Sequence, residues 1–148
     1  MNNPDKKIII FDDDEDILSI CSFILEGLGW KVFVYSDCNK IVEKVSAILP
    51  DVILMDNWIP DDGGIIATQT LKKTEGLKHI PVIYFSANSD IELLANHAGA
   101  ETYLAKPFDL EDLELIINKV IANKQTSKQA NKRIKGGGYG PAQSSVLP

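Results

Sequence analysis

Residues 7–14, KIIIFDDD, decide the fold: four consecutive apolar residues after Lys7, most of them β-branched, run straight into three aspartates. A short, continuous apolar run is typical of a strand that is buried on both faces of a parallel sheet. Functional groups in such sheets gather at the carboxyl ends of the strands. The stretch therefore predicts a central first strand with an acidic site directly after it.

The same alternation of strand and helix patterns continues along the chain. Apolar runs at Val32–Tyr35, Val52–Met55, Pro81–Phe85 and Tyr103–Ala105 are separated by stretches whose apolar residues recur at helical spacing. Strands that alternate with helices are typical of a parallel sheet wound by crossover helices. We therefore predict a doubly wound α/β domain with three layers, α/β/α.

Local signals mark several helix ends. Gly29 and Pro50 stand where the first and second helices should stop, because glycine favours the turn after a helix and proline restricts the residue before it. Asp109 should open the last helix, with Asp112 in the capping-box position where Glu or Gln is usual.

The apolar period of the last helix stops at Ala122. The sequence that follows is polar, basic and rich in glycine from Gly136 onward, so it cannot build a core of its own. We expect one folded domain over residues 6–122 and a flexible basic tail over residues 123–148.

Composition and charge exclude several classes of protein. The chain has 148 residues and is 45% hydrophobic, yet its uninterrupted apolar strand runs are far too short to span a membrane, and no secretory signal precedes the first strand. We expect a cytoplasmic protein without a membrane span. The two cysteines, Cys21 and Cys38, are too few for a disulfide framework or a zinc site, and we expect them to be structural.

The net charge of −6 conceals an asymmetry. All 21 acids precede residue 122, so residues 1–121 carry −11 while the remaining 27 residues carry +5. So acidic a domain argues against the basic footprint of nucleic-acid binding. Only the basic tail is compatible with nucleic-acid binding.

Polar residues follow four of the predicted strands. The first strand ends in Asp12, Asp13 and Asp14, and the others lead into further candidate site residues. These are Asp56, Ser86, Ala87, Lys106 and Pro107.

Carboxylates gathered at one sheet edge need a compensating cation, because two of them about 4 Å apart repel by roughly 4 kcal/mol at an effective dielectric near 20. Oxygen ligands with no nearby His or Cys favour Mg²⁺, and Lys106 would supply a second positive charge. An aspartate so placed can act as a nucleophile towards a phosphoryl group, with Ser86 bonding one of the phosphoryl oxygens.

Four motifs in this order resemble the response-regulator receiver domain of two-component signalling, of the chemotaxis type. IIIFDDD is similar to the family's acidic pair after the first strand, and FSA and YLAKPF to its Ser/Thr-Ala and aromatic-Lys-Pro motifs. ILMDNWIPDDGG is similar to its phosphoacceptor loop, with Ile59 in place of Met and Gly64 in register. The resemblance covers residues 6–122 and implies a flavodoxin-like sheet with strand order 2-1-3-4-5.

The resemblance also implies the roles of the site residues. Asp56 would accept the phosphoryl group, and Lys106 would contact it. Mg²⁺ would be held by Asp13, Asp56 and the backbone carbonyl of Trp58, with Asp12 acting through water.

A switch is implied as well. Phosphorylation would draw in the Ser86 hydroxyl and let Tyr103 turn inward, which remodels the face formed by the fourth helix, fifth strand and fifth helix. The family likeness also predicts a cis peptide bond between Lys106 and Pro107.

The residues around the phosphoacceptor should set the lifetime of the phosphorylated state. Trp58 is bulky where small or polar residues are common, and together with Asn88 it would border the path of the attacking water. Ala87 belongs to the same group of tuning positions. Our hypothesis is that Trp58 slows self-dephosphorylation.

These expectations describe a single-domain response regulator. It would be no enzyme beyond its own phosphotransfer and autodephosphorylation, and its partners would be a sensor histidine kinase or a histidine phosphotransfer protein, a downstream protein target and, on phosphorylation, a second copy. No dedicated DNA-binding domain is expected.

Two alternatives stay open at this stage. One is an interaction module that keeps the fold without phosphorylation. The other is a small phosphatase with an aspartate nucleophile, which would need a second acid where Trp58 stands. A flavodoxin-like nucleotide binder fits less well, since three acids replace the phosphate-binding donors expected after the first strand.

Overall fold

A computed structural model of the protein describes residues 6–57 and 63–137, and from residue 124 onward the backbone only. Strands and helices alternate throughout these residues, as the sequence predicts. In chain order the elements are β1 (Lys7–Phe11), α1 (Glu15–Gly27), β2 (Lys31–Tyr35), α2 (Ile41–Ile48), β3 (Val52–Asp56), α3 (Gly63–Lys72), β4 (Val82–Ser86), α4 (Ile91–Ala98), β5 (Thr102–Ala105) and α5 (Leu110–Gly137).

The five strands form one parallel sheet in the order β2-β1-β3-β4-β5, which confirms the predicted topology. The interior strands β3 and β4 are buried along their whole length and β1 is buried from Ile8 onward, whereas the edge strands β2 and β5 are partly exposed. This difference explains why the central runs are continuously apolar: both of their faces need hydrophobic side chains.

Each face of the sheet has its own hydrophobic core. One core joins the strands to α2, α3 and α4 and includes Ile9, Met55 and Tyr84. The other joins them to α1 and α5 and includes Ile10 and Phe85. Neighbouring residues in one strand serve opposite cores, because successive side chains of a strand point to opposite faces.

Hydrogen bonds cap the starts of α1 and α5, and the start of α5 is the one predicted at Asp109. The Asp14 carboxylate accepts from the backbone N–H of Asp16 at 2.9 Å and of Ile17 at 3.4 Å, which caps α1. At α5 the bonds are reciprocal: the N–H of Asp112 donates to Asp109 Oδ1 at 2.9 Å, and the N–H of Asp109 donates to Asp112 Oδ2 at 3.3 Å. An aspartate therefore completes this capping box as a glutamate would.

The end of α5 differs from the prediction. The helix was expected to stop near Ala122, but its backbone continues to Gly137. The helix therefore extends beyond the residue at which its apolar period stops, while the flexibility expected of the segment stays a prediction. The physical reason is that residues 123–135 are good or neutral helix formers with no glycine or proline among them. Residues 138–148 lie outside the described residues, and the division into a receiver domain and a tail stays a prediction.

The length of α5, 28 residues, does not make it a membrane span. Neither α5 nor any other helix of the described residues combines the length and the apolar character that a crossing needs.

The cysteines occupy buried positions, as predicted. Neither Cys21 nor Cys38 forms a disulfide within the described residues. Burial, with the negative charge of Asp12 adding to it and Lys106 opposing it, raises the pKa of Cys21 to about 11. A thiol with such a pKa stays protonated at neutral pH, in keeping with a structural role.

Candidate functional site

The carboxyl edge of the sheet brings the predicted site residues together. Asp12 directly follows β1, Lys106 directly follows β5, and Asp56 and Ser86 are themselves the last residues of β3 and β4. The parallel register aligns these ends, because Asp56 pairs with Phe85 and Ser86 with Ala105. The loops between strands and helices therefore begin at one place on the molecule.

Lys106 bridges two buried carboxylates. Its Nζ lies 2.7 Å from Asp12 Oδ2 and 2.9 Å from Asp56 Oδ1. Asp12 is 1% exposed and Asp56 is 3% exposed, so both acids are shielded from solvent. The ammonium also lies 4.5 Å from the centroid of the Phe85 ring. Buried charges need such partners, because an isolated charge is costly to remove from water.

The protonation of Lys106 follows from these contacts. Burial by itself lowers the pKa of the ammonium, but the hydrogen bonds to Asp12 and Asp56 and their negative charges outweigh it and raise the pKa above the ordinary value. Lys106 is therefore a permanent cation at neutral pH.

Three carboxylates form a cluster at this edge. Oxygen atoms of Asp12, Asp13 and Asp56 all lie within 4.8 Å of one another, and Asp13 is the exposed member. One lysine balances only part of this negative charge. Hard oxygen donors with an uncompensated negative charge suit Mg²⁺, so the residues present fit the ion that the sequence predicts.

Backbone hydrogen bonds orient the acidic pair. The N–H of Asp12 donates to Tyr35 O at 3.1 Å, which ties the end of β1 to β2. The carboxylate of Asp12 in turn accepts from the N–H of Asp14 at 2.9 Å. The chain therefore turns sharply at Asp13, between the buried Asp12 and the cap of α1.

Glycine at position 64 permits α3 to approach the end of β3. A Cβ on this residue would lie 2.2 Å from the backbone oxygen of Asp56, far inside van der Waals contact. The N–H of Gly64 also points at the backbone oxygen of Asn57, at 3.3 Å. The preceding Gly63 has φ of +73°, a left-handed conformation that favours glycine. In the sequence Gly64 is recognisable only as a family marker, and the close approach of α3 to Asp56 is the physical reason for a glycine at this position.

Ser86 is buried beside the site and its hydroxyl is engaged. Its Oγ accepts from the N–H of Asn88 at 3.0 Å, and Asn88 Oδ1 accepts from the N–H of Asp90 at 2.8 Å. The backbone oxygen of Ser86 accepts from the N–H of Lys106 at 2.8 Å, which links β4 to the lysine. Ala87, between Ser86 and Asn88, is exposed.

The proposed switch residue and the cis bond lie on β5 and just after it. Tyr103 pairs with Tyr84 in the sheet and is 37% exposed. The peptide bond between Lys106 and Pro107 is cis, as predicted. Trp58, Ile59, Asp61 and Asp62 lie outside the described residues, so the predicted Trp58 carbonyl ligand stays a prediction.

One pair at the site was missed by the sequence analysis. The hydroxyl of Tyr84 donates to Oδ1 of Asn57, the residue directly after Asp56. In the sequence Tyr84 is simply part of the apolar run Pro81–Phe85. The available signal was its hydroxyl, since a tyrosine in a fully buried strand needs a polar partner for its O–H group.

Comparison with known proteins points to one family. The sequence matches the family model of the response regulator receiver domain over residues 8–118. In structure, the chain is similar to the receiver domain of sensor histidine kinase PA1611 from Pseudomonas aeruginosa PAO1, with a TM-score of 0.73, 28% identity, and coverage of 79% of this chain and 98% of that one. That domain was crystallised with a magnesium ion coordinated in its active-site cleft.

Two sequence relatives are longer proteins. The chain is 29% identical over 122 residues to the DNA-binding transcriptional regulator NtrC of Klebsiella pneumoniae, covering 81% of this chain and 26% of NtrC. It is 30% identical over 137 residues to the DNA-binding dual master transcriptional regulator RpaA of Synechocystis, covering 91% of this chain and 57% of RpaA. The chain thus spans between a quarter and three fifths of the length of these relatives.

Proposed function

The chain belongs to the response regulator receiver domain family, and on that premise we propose that Asp56 accepts a phosphoryl group from the phosphohistidine of a sensor histidine kinase or a histidine phosphotransfer protein. The observation that carries the proposal is the bridge from Lys106 to Asp12 and Asp56, at 2.7 and 2.9 Å. A lysine held in this way stands where the charge of an incoming phosphoryl group must be neutralised.

The reaction is a direct transfer. A carboxylate oxygen of Asp56 attacks the phosphorus, a P–O bond forms, the P–N bond to the partner's imidazole breaks, and the imidazole leaves with the bonding electron pair. Lys106 neutralises negative charge on the phosphoryl oxygens and so favours the transition state. Burial of Asp56 keeps its surroundings low in dielectric, which strengthens this interaction.

Mg²⁺ is the cofactor that the donor set fits. Asp13 and Asp56 would hold it together with the Trp58 carbonyl, and Asp12 would act through water. When bound, the ion supplies charge neutralisation for the phosphoryl oxygens. Asp12 contributes separately, since its ion pair keeps the ammonium of Lys106 beside Asp56.

The output is a change of surface. A phosphoryl group on Asp56 adds roughly −1.5 to −2 charge beside Ser86 and Lys106. Release of the Ser86 hydroxyl from the Asn88 N–H, followed by inward rotation of Tyr103, would remodel the surface formed by α4, β5 and α5. That surface would bind a downstream protein or a second copy, in a shift between two populations.

Intact-mass measurement tests the phosphoacceptor. The protein is incubated with acetyl phosphate, with and without Mg²⁺, alongside Asp56→Asn and the control Asp90→Asn, which removes an exposed acid at the start of α4. Wild type and the control should gain one phosphoryl group only with Mg²⁺, and Asp56→Asn should gain none. Absence of the adduct from wild type would favour the interaction module that works without phosphorylation.

The lifetime of the adduct depends in our proposal on the residues that border it. Trp58→Asn should accelerate loss of the phosphoryl group, because a smaller polar side chain admits and orients water. Asn88 and Ala87 would tune the same step from the β4 side. If Trp58→Asn lost the phosphoryl group at the wild-type rate, the hypothesis that Trp58 slows self-dephosphorylation would be contradicted.

A further inference from the structure

The ammonium of Lys106 lies over the aromatic ring of Phe85. Its Nζ stands 4.5 Å from the centroid of that ring. Phe85 is fully buried, and only 17% of the Lys106 side chain is exposed to solvent. A cation is attracted by the negative face of an aromatic ring, and the attraction grows when water is excluded. The ring is therefore one of the contacts that hold the lysine in place.

The register of the sheet puts this ring next to the proposed phosphoacceptor. Phe85 pairs with Asp56 across β3 and β4. Leu54, Phe85 and Leu104 all belong to the core formed with α1 and α5. Asp56 and Lys106 stand two residues after Leu54 and Leu104, so the alternation of side chains along a strand puts them on the same face as the ring. The ring and the two charged groups therefore meet as a direct result of strand pairing.

A second aromatic ring packs against Phe85. The centroid of the Phe108 ring lies 6.2 Å from that of Phe85, and the two planes are inclined by 47°. Tilted pairs of this kind are favourable, because the edge of one ring meets the face of the other. The segment that follows β5 thus contacts the Phe85 ring twice, through the ammonium of Lys106 and through the ring of Phe108.

The ring attracts the ammonium without cancelling its charge. An ammonium group has three N–H donors. Among the described residues its hydrogen-bond acceptors are Asp12 Oδ2 at 2.7 Å and Asp56 Oδ1 at 2.9 Å, so one N–H has no carboxylate partner there. A further carboxylate would occupy that donor and neutralise more of the positive charge, whereas a phenyl ring carries no net charge. Both the donor and the charge stay available to an incoming anion.

We propose that Phe85 is a positioning residue for phosphotransfer: its ring holds the Lys106 ammonium beside Asp56 and leaves one N–H for a phosphoryl oxygen. The inference rests on the proposed function, in which Lys106 neutralises charge on the phosphoryl group. Its physical content is preorganisation, since a cation that is already in place does not have to be ordered while the phosphoryl group is transferred.

A weaker negative face on the ring should slow phosphorylation. Fluorine atoms withdraw electron density from the face of a phenyl ring and change its size only slightly. Phenylalanines that carry one, two, three or five fluorines are therefore introduced in place of Phe85. The rate of phosphorylation at saturating acetyl phosphate and Mg²⁺ should fall in steps along this series. We expect a total loss of about 3- to 30-fold, the range that a cation–π contact of this kind produces.

Phe11 provides the matched control. It is fully buried like Phe85, and it directly precedes a site residue, Asp12. Its ring belongs to the other core and stacks on Tyr35, with 5.6 Å between centroids. The lysines that lie over aromatic rings in the described part of the chain contact other rings. The same fluorinated residues at position 11 should leave the phosphorylation rate unchanged.

A second readout does not depend on phosphorylation. NMR relaxation of the ε-methylene group of Lys106 reports how firmly its side chain is held on the picosecond to nanosecond timescale. The order parameter should fall along the Phe85 series and stay constant along the Phe11 series. A residue that only fills space would not give this result, because fluorination keeps the ring apolar and nearly unchanged in volume.

The outcomes distinguish the positioning role from the proposed function. If the protein is phosphorylated and its rate stays constant along the Phe85 series, or falls equally along the Phe11 series, the positioning role is overturned. If the protein is never phosphorylated, the proposed phosphotransfer is contradicted. The order parameter then decides separately: a decrease along the Phe85 series alone supports the hold on Lys106, and a constant value overturns it.

Discussion

Gly64 stands against Asp56 so closely that a Cβ on residue 64 would lie 2.2 Å from the backbone oxygen of Asp56. That oxygen belongs to the residue that we propose as phosphoacceptor. The first turn of α3 is therefore packed on the backbone that carries the site, and the spacing between them has no room for a side chain. The same contact packs α3 against β3 and borders the proposed phosphoacceptor.

Gly64→Ala should damage both stability and the site. The new methyl group meets backbone rather than a flexible side chain, so either α3 or the end of β3 must move, and overpacking of this kind costs about 1–3 kcal/mol or more. We expect a lower free energy of unfolding in urea and a slower phosphorylation by acetyl phosphate.

Gly27→Ala is the matched control for Gly64→Ala, because a Cβ at position 27 has nothing within 4 Å. Alanine is also the better helix former. The control should lose no stability. Equal behaviour of the two alanine variants would contradict the close contact at Gly64.

Asp13→Asn should make the metal-free protein more stable. Asp13 adds an exposed negative charge within 4.8 Å of the oxygens of Asp12 and Asp56, and Lys106 is bonded to the other two acids. Removing this charge relieves repulsion, so we expect the melting temperature without Mg²⁺ to rise by a few degrees.

The same variant should lose its response to the ion. Wild type gains stability from Mg²⁺ by mass action, whereas Asp13→Asn should gain little at the same concentration. Asp16→Asn, which removes an acid from the first turn of α1, serves as the control and should keep the wild-type gain. A full Mg²⁺ gain in Asp13→Asn would contradict the assignment of Asp13 to the metal site.

Lys106→Met should be strongly destabilising at neutral pH. It removes the cation between two buried carboxylates, and breaking a buried ion pair costs about 3–5 kcal/mol. Since folding raises the pKa of Lys106, its stabilisation is fully present below the ordinary value of 10.5 and is lost as the pH rises through the folded-state pKa.

Urea unfolding at several pH values measures this dependence. The stability gap between wild type and Lys106→Met should be constant from pH 7 to about 10 and should shrink above that. Lys44→Met, which breaks the partly exposed pair with Asp37, should cost far less stability than Lys106→Met. If the difference in unfolding free energy between wild type and Lys106→Met grew with rising pH, the proposed stabilisation by the charged Lys106 would be contradicted.

Thr68→Val should stabilise the protein. The Thr68 side chain in α3 is fully buried, and its hydroxyl finds no hydrogen-bond partner among the described residues. An unsatisfied buried polar group costs about 1–3 kcal/mol, so we expect a gain of about 1 kcal/mol in urea unfolding.

Thr74→Val is the matched change for Thr68→Val, since Thr74 Oγ1 donates to Thr70 O at 2.7 Å. This variant loses a bond and should be less stable than wild type. A loss of stability in both variants would mean that the Thr68 hydroxyl has a partner after all.

Much of the fold followed from residues whose constraints are local. The apolar run at residues 8–11 predicted a buried strand, which is present as β1, and carboxylates of Asp12, Asp13 and Asp56 lie together at its end. Asp109 and Asp112 predicted the start of α5, because capping depends on neighbours in the sequence. It could also be predicted that Asp12, Asp56 and Lys106 lie close together, because the carboxyl ends of parallel strands lie at the same edge of the sheet.

The features that were not predicted from the sequence depend on contacts between elements that are distant in the chain. Neither the bond from Tyr84 to Asn57 nor the empty space required at Gly64 leaves a pattern in the sequence, since each joins elements that meet only after folding. The buried Thr68 hydroxyl, which has no hydrogen-bond partner among the described residues, could not be predicted for the same reason. The extension of α5 was missed because an apolar period reports packing, whereas polar residues with good helix propensity can continue a helix without it.

The central claim is that Asp56 carries the phosphoryl group, and reductive trapping tests it most directly. The protein is phosphorylated with acetyl phosphate and Mg²⁺, treated with borohydride, which reduces an acyl phosphate to an alcohol, digested and sequenced by tandem mass spectrometry. We predict homoserine at position 56 and nowhere else, and none when Mg²⁺ is left out. Homoserine at another acid, or an unmodified Asp56 in protein that has gained a phosphoryl group, would contradict the account.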